Sequence, residues 1–401
     1  DRFSYKVGGE IEIRMAVTKS QKTSGALSLV PDELSEDITK EDRARFFQVV
    51  STDLGPDEIQ RIVSPPRSYP KEKSVLAVHW HPEFIPLDLV GRRIDALYPN
   101  KEHELIIPTQ HNVLMSFGGY TGVEVDCYSK GFNQKVQLLV HFEDSRIKDA
   151  PVFRSVLAHT LKYRSSQLFH FIHTITQPKD DWIEMAARET GADGAVIRFV
   201  QTHVRKIEKL LEQHGDEIPV ASIKNKLLRN FFDTLRDAYG NGLIDRVQTY
   251  LRAVKTIVKA HFPLQYFYRT SDVIAEARSI GGGIVIPHPE QFWPILLADY
   301  DVDGYEIWNP ESRRYTEFLI TVLHEKNKQR KRQVPELLLF MGDDTHMGEK
   351  IKDRAHQSAV KAAREIGVQP AWDDLMIKKK LVVANMDKNR VIREYKNRLA
   401  G

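Results

Sequence analysis

The sequence predicts an α/β protein built around a barrel of parallel β-strands, with a large helical block inserted into it. Two observations predict this fold. Short apolar runs typical of buried parallel strands recur along the chain, and nearly every run ends in polar residues. The residues just past the carboxyl ends of parallel barrel strands converge on one mouth. We therefore expect the polar endings to form a single site.

Seven runs carry this pattern, and six of them end in residue types that bind metal ions. In chain order they are 74–78 before His79-Trp80-His81, 105–108 before His111, 122–123 before Glu124, 136–140 before His141, 283–287 before His288, 304–308 before Asn309, and 337–341 before Asp344-Thr345-His346. Side chains two apart in a strand face the same way, so each His-x-His or Asp-x-His pair can reach one ion. Taken alone, each histidine is more often a core or surface residue than a ligand. The repetition favours a metal site, because buried charged and polar groups are costly unless they are compensated.

Composition is consistent with a soluble protein that has a substantial core. Apolar residues make up 41% of the 401, and the formal net charge of +3 gives no global case for nucleic-acid binding. The single cysteine, Cys127, excludes an intramolecular disulfide and a thiolate zinc site, and it fits a reducing cytosol. No stretch approaches the roughly 18 apolar residues of a membrane span, and no signal-peptide pattern is present. We expect a cytoplasmic protein without a membrane partner.

Three zones are expected along the chain. Residues 1–70 read as an N-terminal accessory segment, with alternating strand-like sequence between Tyr5 and Val17, then helix-prone sequence, and then a proline-rich linker. Residues 71–144 and 281–401 would form the barrel. Residues 145–280 read as helical throughout, which is typical of a small bundle. This insertion is either a cap over the barrel mouth or a partner-binding bundle.

The order His-x-His, His, Glu, His, His-Pro, Asp-x-His resembles the polymerase and histidinol phosphatase (PHP) family of metal-dependent phosphoesterases. The segment 341–346 is similar to the family's Gly-Ser-Asp-x-His motif, 109–112 to its Thr-Asp-His segment, and 287–289 to its Ala-His-Pro. The resemblance covers about residues 74 to 350 without the insertion, and it implies a distorted seven-stranded β/α barrel. Two positions depart from the family pattern: no histidine lies within 82–89, and Gln110 replaces an aspartate.

The resemblance implies a cluster of two or three divalent ions, which would be zinc, manganese or iron. Its expected ligands are His79, His81, His111, Glu124, His141, His288, Asp344 and His346. Glu124 would bridge two ions, and His141 would complete the cluster together with Glu124 and His288. Imidazole and carboxylate ligands suit these metals.

The implied activity is hydrolysis of a phosphate monoester or diester by a metal-activated hydroxide. Asp344, His346 and Glu124 are the expected catalytic residues, and Arg313 with Arg314 could clamp the substrate phosphate. The expected partner is a phosphorylated small molecule or nucleotide. A nuclease acting on single-stranded nucleic acid and a noncatalytic binding or assembly module remain alternatives, and the sequence leaves the oligomeric state open.

Overall fold

The computed structural model describes residues 34–178, 180–352 and 357–401. The strands in this part of the chain are β1 (Ser74–Ala77), β2 (Trp80–His81), β3 (His103–Ile106), β4 (Met115–Phe117), β5 (Tyr120–Ser129), β6 (Gln134–Glu143), β7 (Gly283–Ile286), β8 (Gly304–Trp308), β9 (Leu338–Met341) and β10 (Thr345–His346). The helices are α1 (Lys40–Val50), α2 (Pro56–Val63), α3 (Leu87–Leu97), α4 (Pro151–Leu161), α5 (Tyr163–Thr176), α6 (Asp180–Thr190), α7 (Gly194–His214), α8 (Lys226–Asp233), α9 (Arg236–Tyr239), α10 (Asn241–Ala260), α11 (Thr270–Ser279), α12 (Thr316–Gln329), α13 (Ala359–Ala362), α14 (Leu375–Val383) and α15 (Lys388–Ala400). The strand-like sequence between Tyr5 and Val17 lies outside the described residues.

The strands form three sheets rather than one. Six strands pair in the order β4-β5-β6-β7-β8-β9, while β1 pairs with β3 and β2 with β10. Backbone hydrogen bonds join β5 to the segment after β3: the Glu124 N–H donates to the Gln110 carbonyl at 3.2 Å, and the Asn112 N–H donates to the Glu124 carbonyl at 2.8 Å. The described residues therefore form a mixed α/β fold with three small sheets that do not close, and they do not show the distorted seven-stranded barrel that the sequence predicts.

Strand direction decides which strand ends share an edge. β7, β8 and β9 run parallel, as do β1 and β3. β6 is antiparallel to both of its neighbours, and His141 pairs with Gly283, the first residue of β7. The carboxyl end of β6 therefore lies at the opposite edge from the carboxyl ends of the parallel strands.

Helices cover the sheets with apolar faces. α4 and α11 contribute Phe153, Leu157 and Val273 to the same core as the β5 and β6 side chains, and α15 adds Tyr395 and Leu399. These residues are at most 4% exposed. Burying a Leu or Phe side chain contributes about 1.5–3 kcal/mol, so this layer fixes the strands that carry the candidate site.

The helical insertion has a core of its own, from Leu168 in α5 to Val258 in α10. Asp193 is the N-cap of α7, and its side chain accepts hydrogen bonds from the N–H groups of Ala195 and Val196. The prediction that this stretch is helical is confirmed. Phe46 of α1 is fully buried in the same core, so part of the N-terminal zone packs on the bundle.

The other N-terminal helix, α2, packs elsewhere. Its Ile62 is fully buried in a third cluster that includes residues of α3 and β1. The two helices of the N-terminal zone thus join different cores, and the domain boundaries drawn from the sequence stay a prediction. None of the helices in the described ranges has the length and apolar character needed to span a membrane.

Candidate metal centre

A pair of two-residue strands positions several of the predicted ligands. β2 and β10 run parallel, with His346 opposite His81, and the centroids of these two rings are 4.3 Å apart. His79 immediately precedes β2, and its carbonyl accepts the Asp344 N–H. The local sequences His-x-His and Asp-x-His thus meet side by side, each with its two ligand-type side chains two residues apart.

Glu124 lies between three imidazoles. It is in β5, 1% exposed, and an isolated parallel bridge pairs its backbone with that of His111. Its Oε2 is 2.6 Å from His111 Nδ1 and 3.6 Å from His81 Nε2, and its Oε1 is 3.6 Å from His288 Nε2. A carboxylate buried at this depth requires compensating positive charge or hydrogen bonds, so its surroundings are what a ligand position demands.

Three overlapping groups could each hold a metal ion. They are His81, His111 and His346; His79, His81 and Asp344; and His79, Glu124 and His288, and within each group the ligand atoms lie within 4.8 Å of one another. His79 and His81 each belong to two groups. This overlap would fit adjacent metal ions that share ligand residues.

The buried imidazole nitrogens fit a metal better than they fit the protein alone. His79 Nε2 and both ring nitrogens of His81 are buried and form no hydrogen bond within the described part of the chain. Asp344 Oδ1 nevertheless lies 3.3 Å from His81 Nε2 and 3.7 Å from His79 Nε2. Unsatisfied buried polar groups cost free energy, and a cation among imidazoles and carboxylates would remove that cost.

The cluster has a closed floor and a partly open rim. His79, His81, Glu124 and His288 have side chains at most 7% exposed. The side chains of His111, Asp344 and His346 are 21–25% exposed. A substrate approaching from solvent would therefore meet these three residues first.

The backbone is strained at several of these positions. His288 has φ 28° and Asp344 has φ 46°, and Glu83 and Asn112, each close to a candidate ligand, both have φ 56°. Residues other than glycine rarely adopt positive φ, and such strain clusters at functional sites.

Glu306 in β8 orients the floor of the cluster. Its Oε1 lies 2.8 Å from His79 Nδ1, and its Oε2 accepts the N–H of His288 at 2.9 Å. Gly342 makes room for this carboxylate, because a Cβ at that position would overlap Glu306 Oε1. With Nδ1 of His79 held by Glu306, Nε2 points toward Asp344, which is the arrangement of a metal-binding imidazole backed by a carboxylate.

Arg364 performs a similar role at the rim. Its guanidinium is 3% exposed and donates to Asp344 Oδ2 at 2.8 Å and to the Asp344 carbonyl at 3.1 Å. A second nitrogen donates to Glu311 Oε1 at 2.6 Å. Arg364 therefore holds one oxygen of Asp344 and leaves the other directed at His81.

The pKa values of His79 and His81 are shifted in opposite directions. Burial disfavours charge on His79, but Glu306, Asp344 and Glu124 outweigh it and raise the pKa of His79 to about 10. Burial, together with the nearby His346 and His111, lowers the pKa of His81 to about 3. His81 is therefore neutral at physiological pH, with a lone pair available for coordination.

His141, which the sequence predicts to complete the cluster, belongs to none of the three ligand groups. Its Nε2 lies 3.0 Å from the Val78 carbonyl and its Nδ1 lies 2.8 Å from the Tyr395 hydroxyl. A carbonyl only accepts, so Nε2 donates its proton and Nδ1 accepts from the tyrosine. Neither nitrogen is left for a metal.

Arg313 and Arg314 are exposed in the turn before α12. Arg314 lies over the ring of Tyr315, 4.6 Å from its centroid. Neither arginine forms an ion pair with a candidate ligand among the described residues, and their role in phosphate binding stays a prediction. Arg364, which contacts Asp344, has no signal in the sequence, since it lies in an ordinary helix-prone stretch.

Comparisons with known proteins add little to this geometry. No model of a known protein family matches the chain, and no curated protein matches it either. One solved structure with similarity is a presumed metal-dependent phosphoesterase from Bifidobacterium adolescentis, at 15% sequence identity and a TM-score of 0.40. The match covers 81% of this chain and 99% of that one.

Proposed function

We propose that this chain is a metal-dependent hydrolase of phosphate esters. The observation that carries the proposal is the set of three overlapping ligand groups, which share His79 and His81 and open to solvent through His111, Asp344 and His346. Seven of the eight residues predicted as ligands meet there. Clustered imidazoles and carboxylates with unsatisfied buried nitrogens are typical of a site for two or three divalent ions.

The buried and the partly exposed residues of the cluster would have different roles. His79, Glu124 and His288 would hold one ion on the buried floor, and His81 would connect it to positions at the rim. Divalent ions in such a site neutralise phosphate oxygens and lower the pKa of water. His346, which is partly exposed, would accept or donate a proton at the substrate, and Asp344 would act there as a carboxylate that Arg364 keeps oriented.

The helical insertion favours a small, enclosed substrate over a polymer. Lys226 of α8 reaches to 3.8 Å from Glu349, which lies three residues after His346. An element of the bundle thus stands beside the rim, where a long nucleic-acid strand would need free access. We therefore propose a phosphorylated small molecule or nucleotide as the substrate class.

The first test measures metal content and activity together. Protein purified without chelator and reconstituted with Mn²⁺ or Zn²⁺ should contain two or three equivalents by elemental analysis. It should hydrolyse members of a panel of phosphomonoesters, dinucleotides and single-stranded RNA or DNA. His79→Ala and Asp344→Ala should each lower turnover by more than about 100-fold, because a lost ligand displaces the reacting groups.

Each outcome has a clear meaning. Less than one equivalent of metal after reconstitution would refute the metal site. Metal binding without turnover on any substrate of the panel would favour a noncatalytic module. Preference for the nucleic acids over the monoesters would favour the nuclease.

A further inference from the structure

Asn112 attaches the segment that carries His111 to the strand that carries Glu124. It is 2% exposed and has φ 56°, a conformation that asparagine tolerates better than most residues. Its N–H donates to the Glu124 carbonyl at 2.8 Å. Its side chain forms two hydrogen bonds with Asp126: Nδ2 donates to Asp126 Oδ2 at 2.7 Å, and Oδ1 accepts the Asp126 N–H at 2.9 Å. Three hydrogen bonds from one residue therefore fix this segment against β5.

The position of the His111 imidazole depends on this attachment. Asn112 follows His111 directly, and on the other side of His111 the Gln110 carbonyl accepts the Glu124 N–H at 3.2 Å. The backbone of His111 is thus held on both sides against Glu124, whose Oε2 lies 2.6 Å from His111 Nδ1. Side chains that support metal ligands in this way typically change metal affinity by about 10- to 100-fold when they are removed.

Asp126 is a buried carboxylate whose charge is compensated by Lys135. Asp126 is fully buried in β5, two residues after Glu124 and on the same face of the strand. It pairs with Gln137 of β6, and Lys135 lies two residues before that partner, at the diagonal position on the same face. The Lys135 ammonium forms an ion pair with Asp126 Oδ1. Without it, Asp126 would be a buried charge without a compensating cation, which is strongly unfavourable.

Two aromatic residues of the helical insertion cover Lys135. Its Nζ lies 5.1 Å from the ring centroid of Tyr163, the first residue of α5, and 5.6 Å from that of Phe267, shortly before α11. The two rings pack edge to face with their centroids 4.9 Å apart. Phe267 is held near β5, because the carbonyl of the next residue accepts the Tyr128 N–H at 2.9 Å. An ammonium over aromatic rings is stabilised, so two distant parts of the insertion help to hold Lys135 at Asp126.

Another asparagine in the same strand pair provides a contrast. Asn133, in the connection between β5 and β6, also has a positive φ, 51°, and its Oδ1 accepts the Tyr128 hydroxyl at 2.8 Å. It is exposed, and among the described residues it forms no hydrogen bond with a candidate ligand. A turn in this sheet thus needs only one side-chain hydrogen bond from its asparagine. Asn112 makes two to a buried carboxylate and one backbone bond to a candidate ligand.

We propose that Asn112 is a positioning residue for His111 and Glu124, held in place by the Asp126–Lys135 ion pair that the insertion covers. This inference rests on the proposed metal site. It connects the helical insertion to that site through direct contacts, from Tyr163 and Phe267 to Lys135, then to Asp126 and Asn112.

The test measures the Mn²⁺ affinity of the full chain by competition with an indicator chelator, after chelator treatment and dialysis. Asn112→Ala removes both side-chain hydrogen bonds to Asp126. Asn112→Asp instead places a second carboxylate against Asp126. Asn112→Asp combined with Asp126→Asn exchanges donor and acceptor, and so restores the side-chain contact. The matched control is Asn133→Ala, and thermal unfolding in chelator checks that each variant folds.

Asn112→Ala should bind Mn²⁺ about tenfold more weakly than wild type, and Asn133→Ala should bind it as wild type does. Asn112→Asp should bind it more weakly still, and the exchange variant should recover most of that loss. A merely structural asparagine would change unfolding without this recovery of affinity. Lys135→Gln should also weaken binding, but it should add little in the Asn112→Ala background, because both changes act through the same contact.

Equal Mn²⁺ affinities of Asn112→Ala and Asn133→Ala would show that Asn112 does not position ligands, even if the protein is a phosphoesterase. An exchange variant that binds no better than Asn112→Asp alone would contradict the proposal as well. Additive losses from Lys135→Gln and Asn112→Ala would overturn the role of the ion pair. Absence of Mn²⁺ binding by wild-type protein would overturn the positioning role together with the metal site. Wild-type protein that binds Mn²⁺ and hydrolyses no ester would refute the proposed function alone, since these titrations use no substrate.

Discussion

Glu306→Gln should weaken metal binding while leaving the fold intact. The substitution keeps the shape of a side chain whose two oxygens contact His79 Nδ1 at 2.8 Å and the His288 N–H at 2.9 Å. A glutamine can offer its oxygen to only one of them. If the oxygen accepts from His288, the amide N–H₂ faces His79 Nδ1, which must then be unprotonated. The imidazole proton moves to Nε2, where the metal would bind.

The expected loss follows from the nature of the contact. Removing a carboxylate behind a metal-binding histidine typically lowers affinity by about 10- to 100-fold, which corresponds to about 1.4–2.7 kcal/mol. A second effect opposes this loss of affinity. Without Glu306 the pKa of His79 falls from its raised value of about 10, so a smaller fraction of the protein carries a proton on His79 that the metal has to displace. Competition with protons weakens as the pH rises, whereas the wrong tautomer persists. The affinity deficit should therefore be larger at pH 9 than at pH 6.

The measurement is a Mn²⁺ competition titration against an indicator chelator at both pH values, with thermal unfolding as a check of the fold. Glu325→Gln is a suitable control, because that carboxylate is 55% exposed on α12 and pairs only with Lys328 among the described residues. Equal Mn²⁺ affinity of the Glu306→Gln variant and the control at pH 9 would refute the tautomer argument.

Two further predictions concern residues that the sequence misjudged or missed. Arg364→Lys should lower metal affinity about tenfold, because one ammonium cannot hold both Asp344 and Glu311. The control is Arg390→Lys, because Arg390 pairs with Glu336 and not with a candidate ligand, so its substitution should leave metal affinity unchanged. Equal losses of affinity in both variants would contradict this prediction. His141→Gln should leave metal content unchanged and alter the pH dependence of stability. Burial lowers the pKa of His141 to about 3, and the unfolded chain titrates near 6.5, so the histidine's stabilisation is complete above pH 6.5 and is lost as the pH falls toward 3. The variant should therefore lose less stability than wild type between pH 6.5 and 4 in thermal melts, and reduced metal content would show instead that His141 matters to the site.

Much of the candidate site could be predicted because parallel strands deliver their ends to one edge. His79, His111, His288 and Asp344 each follow an apolar run, and the structure brings them together despite long separations in sequence. Each of these residues could be recognised from the few residues around its own strand end. The physical rule that joins strand ends supplies the rest.

The supporting residues could not be found in this way. Glu306 is a carboxylate within a buried strand, and only its distance to His79 shows its role. Arg364 reaches Asp344 across twenty residues of sequence with no spacing pattern. Side chains that orient ligands can come from any element that packs nearby, so local sequence carries no record of them.

His141 is different, because the sequence contains the information that places it relative to β7. An apolar run gives no direction, and β6 looks like every other strand in composition. The connection before it does give direction: only residues 130–133 separate β5 from β6, and this stretch contains Gly131 and Asn133. Parallel neighbours need a crossover of about a dozen residues or more, so four residues allow only a hairpin. β6 must then run opposite to β5, so that the last residues of β6 pair with the first residues of β5, as His141 pairs with Gly122. By contrast, residues 287–303 and 309–337 are long enough for the parallel crossovers between β7, β8 and β9. Connection length, applied together with strand-end chemistry, would have placed His141 opposite the first residue of β7, Gly283, and not at the carboxyl end of β7, which His288 follows.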